Sequence, residues 1–256
     1  MNRRILLAPV AVLLIGGTAV ARDADQALAC SAANAPEKTF SYQADFLTRD
    51  RNGDERPLSA QVLGKRDAGS LLINLGIREP AALTGTAFLI RETDGQDDMR
   101  IYLPAMNRVR RVTGSMAARE LLGTSFSYLN IKQMFGAFLD GARETLADGE
   151  HLGRAVHRVR IVPTPEEGAP FQSLMAYIDA ETCVPLGVDF LDADGELLKQ
   201  LEATVGTLRE LDGRHLATEY RMRDLLNGTE TTVRFSDLSF DESIRGTRFS
   251  PNSFYR

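Results

Sequence analysis

Thr39-Phe40-Ser41-Tyr42-Gln43-Ala44-Asp45-Phe46 is followed by the turn Arg51-Asn52-Gly53-Asp54 and by a second run through Leu58, Ala60, Val62 and Gly64. Large residues at 40, 42 and 46 recur at even spacing between smaller or polar ones. That is the two-residue period of a strand with one buried face. The Asn-Gly pair between the runs marks a tight hairpin. Working outward, the same pattern recurs. Ser70 to Ile77, Ala87 to Arg91, Met99 to Leu103 and Arg108 to Thr113 read as strands, with Asp94-Gly95 turning between two of them. After the middle of the chain, Arg143 to Leu152, Arg154 to Pro163, Ser173 to Asp179, Val184 to Asp192, Leu197 to Arg209, His215 to Leu225 and Thr229 to Phe240 follow. Asp194-Gly195, Asp212-Gly213 and Asn227-Gly228 lie between them as hairpin signals. The arrangement predicts an antiparallel meander, and so many twisted strands must curl or close to hide their edges.

Only the middle departs from this period. Ser115 to Leu122 holds helix formers behind a serine cap, and Leu129 to Leu139 carries Ile131, Met134, Phe135 and Phe138 at helical spacing. Two short helices are predicted there, joined by Gly123 to Tyr128. No linker rich in proline or serine divides the chain, so residues 22–256 are read as one domain.

Met1 to Ala21 reads as a secretory signal. Arg3 and Arg4 precede an apolar run from Ile5 to Ile15, and Ala19-Val20-Ala21 has the small-residue pattern of a cleavage site. The expected mature N-terminus is Arg22. A lipidated Cys30 is the lesser alternative, because the cysteine is not directly behind the apolar run. An exported chain with a bacterial-looking signal is expected in the periplasm. In that oxidising compartment Cys30 and Cys183 can pair; two unrelated thiols are the other reading.

The chain has 256 residues, 43% hydrophobic and 25% charged, which are globular proportions. A net charge of −5 argues against a nucleic-acid partner recognised by a strong basic field. His151, His157 and His215 have no metal-ligand spacing, and two cysteines cannot build a cysteine-rich zinc site. There is neither a G-x-S-x-G nucleophile elbow nor a glycine-rich phosphate loop. The carboxylates, Asp179, Glu181, Asp189, Asp192 and Asp194 among them, cluster at turns, where solvation explains them. No catalytic residue, metal or cofactor is therefore predicted. The feature that stands out is Arg108-Val109-Arg110-Arg111 after Pro104. Alternation puts Arg108 and Arg110 on one face of a strand and Arg111 on the other. Such a group can bind a phosphate or carboxylate head group, or it can be a solvated strand paired with neighbouring carboxylates.

Three segments in order, Gly85-Thr86-Ala87-Phe88-Leu89, Tyr102-Leu103-Pro104-Ala105 running on to Arg108-Val109-Arg110-Arg111-Val112, and Gly123-Thr124-Ser125-Phe126-Ser127-Tyr128, resemble the outer membrane lipoprotein-sorting protein family, the LolA-like periplasmic carriers. Pro185-Leu186, Val188, Phe190 and Gly195-Glu196-Leu197 with Lys199 extend the resemblance, which covers about residues 40–254. It implies a mainly β protein: one curved antiparallel sheet forming a half-open, incomplete β-barrel closed by short α-helices. It also implies a non-enzymatic, monomeric carrier of lipid or lipoprotein acyl chains towards the outer membrane. The alternative is an accessory protein of an inner-membrane export pump of the resistance-nodulation-division type. In such a fold Phe40, Tyr42, Phe46, Leu72, Leu75, Phe88 and Ile90 are the expected inward residues. Met134, Phe135 and Phe138 are the expected lid, and plain core packing is the competing role for each. Arg108, Arg110 and Arg111 are the expected head-group or partner patch. The cavity is expected between the concave sheet face and residues 115–139.

Overall fold

The computed structural model describes residues 23–67, 70–92, 97–113, 116–132, 134, 141–163 and 171–256. The expected signal segment 1–21, the turn Asp94-Gly95, Ser115, Phe135 and Phe138 lie outside the described residues. Among those described, no helix is long and apolar enough to cross a membrane.

The strands are β1 (Thr39–Arg49), β2 (Glu55–Asp67), β3 (Ser70–Glu79), β4 (Ala87–Arg91), β5 (Asp98–Leu103), β6 (Arg108–Val112), β7 (Ala142–His151), β8 (Arg154–Val162), β9 (Ser173–Asp179), β10 (Pro185–Leu191), β11 (Leu197–Ala203), β12 (Leu208–Leu211), β13 (Arg214–Ala217), β14 (Glu219–Asp224) and β15 (Thr229–Phe240). Thirteen of them form one antiparallel sheet in the order β6-β5-β4-β3-β2-β1-β15-β14-β11-β10-β9-β8-β7. Two meanders are thus joined where β15 returns to pair with β1, Phe46 opposite Val233 and Phe40 opposite Phe240. The free edges, β6 and β7, are consecutive in the chain and do not pair. The barrel is therefore open along this seam. This is the mainly β, half-open sheet that the resemblance implied.

Two predicted strands each break in two. Leu197 to Arg209 divides at Ala203, and His215 to Leu225 divides at Thr218, so that β12 and β13 pair only with each other. Threonines replace the lost ladder. Thr207 Oγ1 donates to the Thr204 carbonyl at 2.7 Å, and the Glu219 amide donates to Thr207 Oγ1 at 3.2 Å. Local side-chain bonds of this kind give the backbone an alternative to the sheet.

The predicted helix over 115–122 is not formed. Residues 116–127 make turns and a single bridge between Glu120 and Ser127, with Leu122 and Gly123 both at positive φ. Left-handed backbone at two successive residues is incompatible with a continuing helix. The second helix begins as predicted, as α2 (Tyr128–Lys132). The Asn130 amide donates to Ser127 Oγ at 3.2 Å while Asn130 Oδ1 accepts from the Ser127 amide at 3.0 Å. That reciprocal pair is a capping box with asparagine in the usual glutamate place.

An element not predicted is α1 (Ala24–Ala33), the first described helix. Asp23 caps it, its carboxylate accepting from the Gln26 amide at 2.8 Å, and the run behind is rich in alanine.

These pieces divide the concave face of the sheet. Over β1 to β5, the segment 121–131 fills the hollow. Leu121, Phe126, Leu129 and Ile131 are buried, the Phe126 ring meets Phe46 edge-on at 5.9 Å, and Tyr128 meets Phe88 at 5.3 Å. Burial pushes the Tyr128 phenol up to about 12. On the opposite face the C-terminal segment covers the sheet. Phe249 and Phe254 pack with Leu63, Ala87 and Leu89, and Asn74 Nδ2 donates to the Phe254 carbonyl at 2.7 Å. Over β9 to β11, β14 and β15, the described residues roof the concave face without filling it.

Candidate functional site

The roof is α1 and the loop after it. Only Ala24, Ala27 and Leu28 of α1 are buried, so the helix has little apolar surface with which to hold itself down. Specific ties do so instead. Cys30 is disulfide-bonded to Cys183 in the β9–β10 turn, with Cα atoms 5.5 Å apart. The Ala24 amide donates to Thr145 Oγ1 at 2.7 Å, and Arg143 contacts Asp25 at 2.5 Å. Asn34 bridges two more elements, donating from Nδ2 to the Thr182 carbonyl at 2.8 Å and accepting at Oδ1 from the His215 amide at 2.9 Å.

The turn that carries Cys183 is built around the buried Asp179. Its carboxylate accepts from the Thr182 amide and hydroxyl, both at 2.8 Å, and from Arg154 at 2.5 and 3.0 Å. Burial alone would raise this carboxyl, but the Arg154 and Thr182 hydrogen bonds outweigh it and hold it at about 2.

Beneath the roof is a cavity of about 640 Å³. Residues 31–37 and Leu28 form one side. Ala176, Ile178, Val184, Val188 and Leu201 form the floor, and His215, Leu216 and Ala217 of β13 form an end wall. An aromatic wall completes it. Phe40 stacks on Tyr42 at 5.1 Å, Tyr42 meets Phe235 at 5.7 Å, and Tyr220 meets Phe235 at 6.4 Å. Burial pushes both phenols, Tyr42 and Tyr220, well above the usual range. The charges of Arg66 and Arg214 act on Tyr42 in the opposite sense. Arg66 lines the cavity, its Nε donating to the Pro36 carbonyl at 3.1 Å, while Arg214 lies 2.9 Å from Asp241 and over the Phe240 ring. The walls are mostly apolar with a few polar groups, the composition of a site that binds by burial and orients by a small number of contacts.

Of the expected inward residues, Phe40 and Tyr42 line this cavity, and so does Met134 of the expected lid. Phe46 and Phe88 do not: they are core, each against an aromatic of the 121–131 segment. The space beside Phe88, Leu75 and Ile90 amounts to about 10 Å³, roughly one water. Leu72 is on the other face, packed with the cluster of Leu63, Leu89 and Phe254; its neighbours Leu71 and Ile73 point inward. The strand has apolar residues on both faces, so alternation alone chose the wrong one. The expected roof also changes. Met134 of the expected cover 115–139 is a wall residue, the cover among the described residues is α1 and the loop after it, and Phe135 and Phe138 lie outside the described residues.

Arg108, Arg110 and Arg111 are exposed on the edge strand β6. Arg108 and Arg110 stand opposite Leu103 and Ile101, and Arg111 stands opposite Arg100 on the other face. There Arg111 is 3.9 Å from Asp98, which also contacts Arg100 at 2.9 Å and Arg91 at 4.0 Å. The three arginines are thus not one patch. Among the described residues no cluster of three or more histidines, cysteines and carboxylates is arranged to hold a metal ion. His151 stacks on Tyr177 at 4.1 Å and His157 pairs with Asp148 at 2.9 Å, well separated in role. Burial lowers the His151 imidazole, with Glu202 and Asp189 opposing.

Of the segments that carried the family resemblance, Pro185 and Val188 line the cavity, while others tie the plug and the C-terminal segment to the sheet. Lys199 Nζ donates to the Ser125 carbonyl at 2.9 Å and pairs with Asp224 at 2.6 Å, both contacts buried. Ser125 is also held by Thr231, its amide donating to Thr231 Oγ1 at 2.8 Å. Tyr102 stacks on Tyr255 at 3.9 Å, and its hydroxyl donates to Asn107 at 3.0 Å. These motifs fasten the plug and the C-terminal cover to the sheet.

The half-open antiparallel sheet is shared with solved structures of LolA-like fold. The chain is similar to an outer membrane lipoprotein-sorting protein domain from Vibrio parahaemolyticus, with 22% identity over 91% of this chain and 99% of that one and a TM-score of 0.80. A DUF1329 family protein from Desulfovibrio piger matches with 18% identity, 88% and 96% coverage and a TM-score of 0.79. A LolA superfamily protein from Nitrosomonas europaea matches with 18% identity, 90% and 98% coverage and a TM-score of 0.73. The fold is LolA-like, as the sequence resemblance implied. A family model described as "-like: Uncharacterized protein" matches residues 74–256, and the chain belongs to that family. No curated protein matches.

Proposed function

We propose that this protein is a non-enzymatic periplasmic carrier that holds an acyl chain of a lipid or lipoprotein in the cavity under α1 and moves it towards the outer membrane. The observation that carries the reading is the unfilled, apolar half of the concave face, in a fold whose other half is plugged by its own chain. Burying a methylene is worth about 0.8 kcal/mol. Sixteen of them supply about 13 kcal/mol, which leaves the scale of micromolar affinity after an association cost of about 5 kcal/mol, without any polar catalysis. The disulfide over the cavity and the export signal at residues 1–21 both suit an oxidising envelope compartment. Arg108 and Arg110, exposed on one face at the seam, are the surface by which the carrier meets an anionic partner, an inner-membrane pump or a head group.

Native mass spectrometry of the protein purified from its own envelope tests this. A co-purifying lipid, transferable to acceptor vesicles, is expected. A bare mass, with no uptake from donor vesicles, rejects the carrier. Pump capture by that bare protein would favour the accessory role.

A further inference from the structure

The inward row of β2 is apolar until the strand ends. Leu58, Ala60 and Val62 belong to the core, and Gly64 lies under the Phe40 ring. The next residue in the same phase is Arg66, which lines the cavity and is partly buried. The period that builds a cavity wall thus places a guanidinium where bare hydrocarbon would call for an apolar side chain.

Arg66 is held in place from two sides. Its amide donates to the Lys38 carbonyl at 2.7 Å, and its Nε donates to the Pro36 carbonyl at 3.1 Å. Two residues before Pro36, Asn34 accepts from the His215 amide at 2.9 Å. Arg66, the loop 34–37 and His215 therefore meet at one end of the cavity. The floor residues Ala176, Ile178, Val188 and Leu201 are apolar and buried. A polar end and an apolar floor match the two parts of an amphiphile.

The charge at the polar end favours an anion. Arg66 and Arg214 both act on the Tyr42 phenol in that sense. Arg214 is balanced by Asp241 at 2.9 Å, whose carboxylate also accepts from the Lys38 amide at 2.7 Å and the Thr39 amide at 3.3 Å. Glu37 is the one carboxylate among the described lining residues, and it is exposed. Water and salt screen it more than they screen the partly buried Arg66. A guanidinium binds carboxylate or phosphate through charge-assisted hydrogen bonds, about twice as strong as neutral ones.

Resting on the carrier reading, we infer that the cargo is an anionic amphiphile, its acyl tail on the floor and its carboxylate or phosphate held by Arg66 at the His215 end of the cavity.

Displacement of a neutral fluorescent acyl probe from the delipidated mature protein tests this. The competitors share a saturated chain of twelve carbons: laurate, dodecyl phosphate, dodecanol and dodecyltrimethylammonium. Each is used below its micelle concentration, at about pH 8, where both acids are ionised. Inorganic phosphate is the control without a tail. Laurate or dodecyl phosphate should bind at least about 10-fold tighter than dodecanol, and the cation weaker than dodecanol. Arg66→Gln should bring the ratio of anion to alcohol close to one while leaving dodecanol unchanged. Stronger binding of laurate assigns the head to a fatty acid, and stronger binding of dodecyl phosphate assigns it to a phospholipid. Equal binding of all four by wild type, or a ratio that survives Arg66→Gln, overturns the inference and leaves the carrier intact. So does an equal loss of anion and alcohol in Arg66→Gln, which would make Arg66 a wall residue. Displacement by inorganic phosphate alone also overturns it. If Arg66→Gln does not fold, the Arg66 Nε–H resonance of wild type decides: it should shift with laurate or dodecyl phosphate and not with dodecanol, and the same response to all three overturns the inference. No displacement by any of the four amphiphiles removes the carrier reading itself.

Discussion

The ring of Phe40 lies directly on Gly64, its cross-strand partner, so that a β-carbon on the glycine would fall inside the ring. Phe40 is buried and forms part of the cavity wall, so the missing side chain at 64 fixes where the wall stands. Gly64→Ala should push the ring toward the hollow. We expect a loss of about 1–3 kcal/mol, as for other overpacked sites, together with reduced uptake of a fluorescent acyl probe. Denaturant unfolding and probe titration on the same preparation check it; unchanged uptake would mean that the ring relaxes elsewhere.

Lys199 and Asp224 are both buried, and the lysine also supports the Ser125 carbonyl. Replacing one partner leaves an uncompensated charge in the interior. Lys199→Met should cost about 3–5 kcal/mol. Adding Asp224→Asn should recover a large part of that loss. A double-mutant cycle by urea denaturation measures it, and a fully additive result would show that the two charges do not interact.

Asp179 makes stability depend on acid. Its carboxyl is held at about 2, below the ordinary 3.8. The ionised form is therefore favoured by folding. Its contribution is complete above about pH 4 and is lost as pH falls from about 4 to 2, amounting to roughly 1–2 kcal/mol. Wild type should lose stability over that window more steeply than Asp179→Asn, which is expected to be weaker at neutral pH. Parallel slopes in the two proteins between pH 2 and 5 would contradict the assignment.

The Cys30–Cys183 bond spans 153 residues of chain. Cys30→Ser paired with Cys183→Ser should lower stability by about 2–4 kcal/mol. Since α1 buries only three residues, the same variant should release a bound probe faster than wild type. Stopped-flow dissociation into excess vesicles measures this, and an unchanged rate would mean that the ties at Thr145, Thr182 and His215 hold the roof without the disulfide.

The strands were legible because one face of nearly every strand is buried and its turns carry Asn-Gly or Asp-Gly pairs. Where both faces are covered, as at Leu71-Leu72-Ile73, alternation gives no preferred side, and the inward residues are Leu71 and Ile73 and not Leu72. The segment 115–122 has helix formers, but the chain turns with positive φ at Leu122 and Gly123 just before Ser125 is tied to Thr231 and Lys199, and such tertiary ties are not contained in local propensity. The asparagine capping box at Ser127–Asn130 was readable and marks the start of α2. For α1, Asp23 as a capping residue and the alanine run behind it are the local signals. The cavity was half legible. Phe40 and Tyr42 are inward by period, and so are Ile178, Val188, Tyr220 and Phe235. Period shows which way a side chain points, not whether something packs against it. Phe46 and Phe88 have the same pattern as Phe40 and differ only in having Phe126 and Tyr128 above them.

The seam between β6 and β7 leaves two rows of unpaired backbone groups on one molecule, a template on which copies could polymerise strand by strand. Pairing β6 to β6 of another copy would set arginine against arginine, since three of its five residues carry that charge. Pairing β6 to β7 would be favoured by Glu144, Asp148 and Glu150, but the register of β7 shifts between Leu146 and Gly149, so a flat incoming strand cannot follow it along its length. The guard against fibre growth is written into the edges themselves: repulsion on one, a kink on the other.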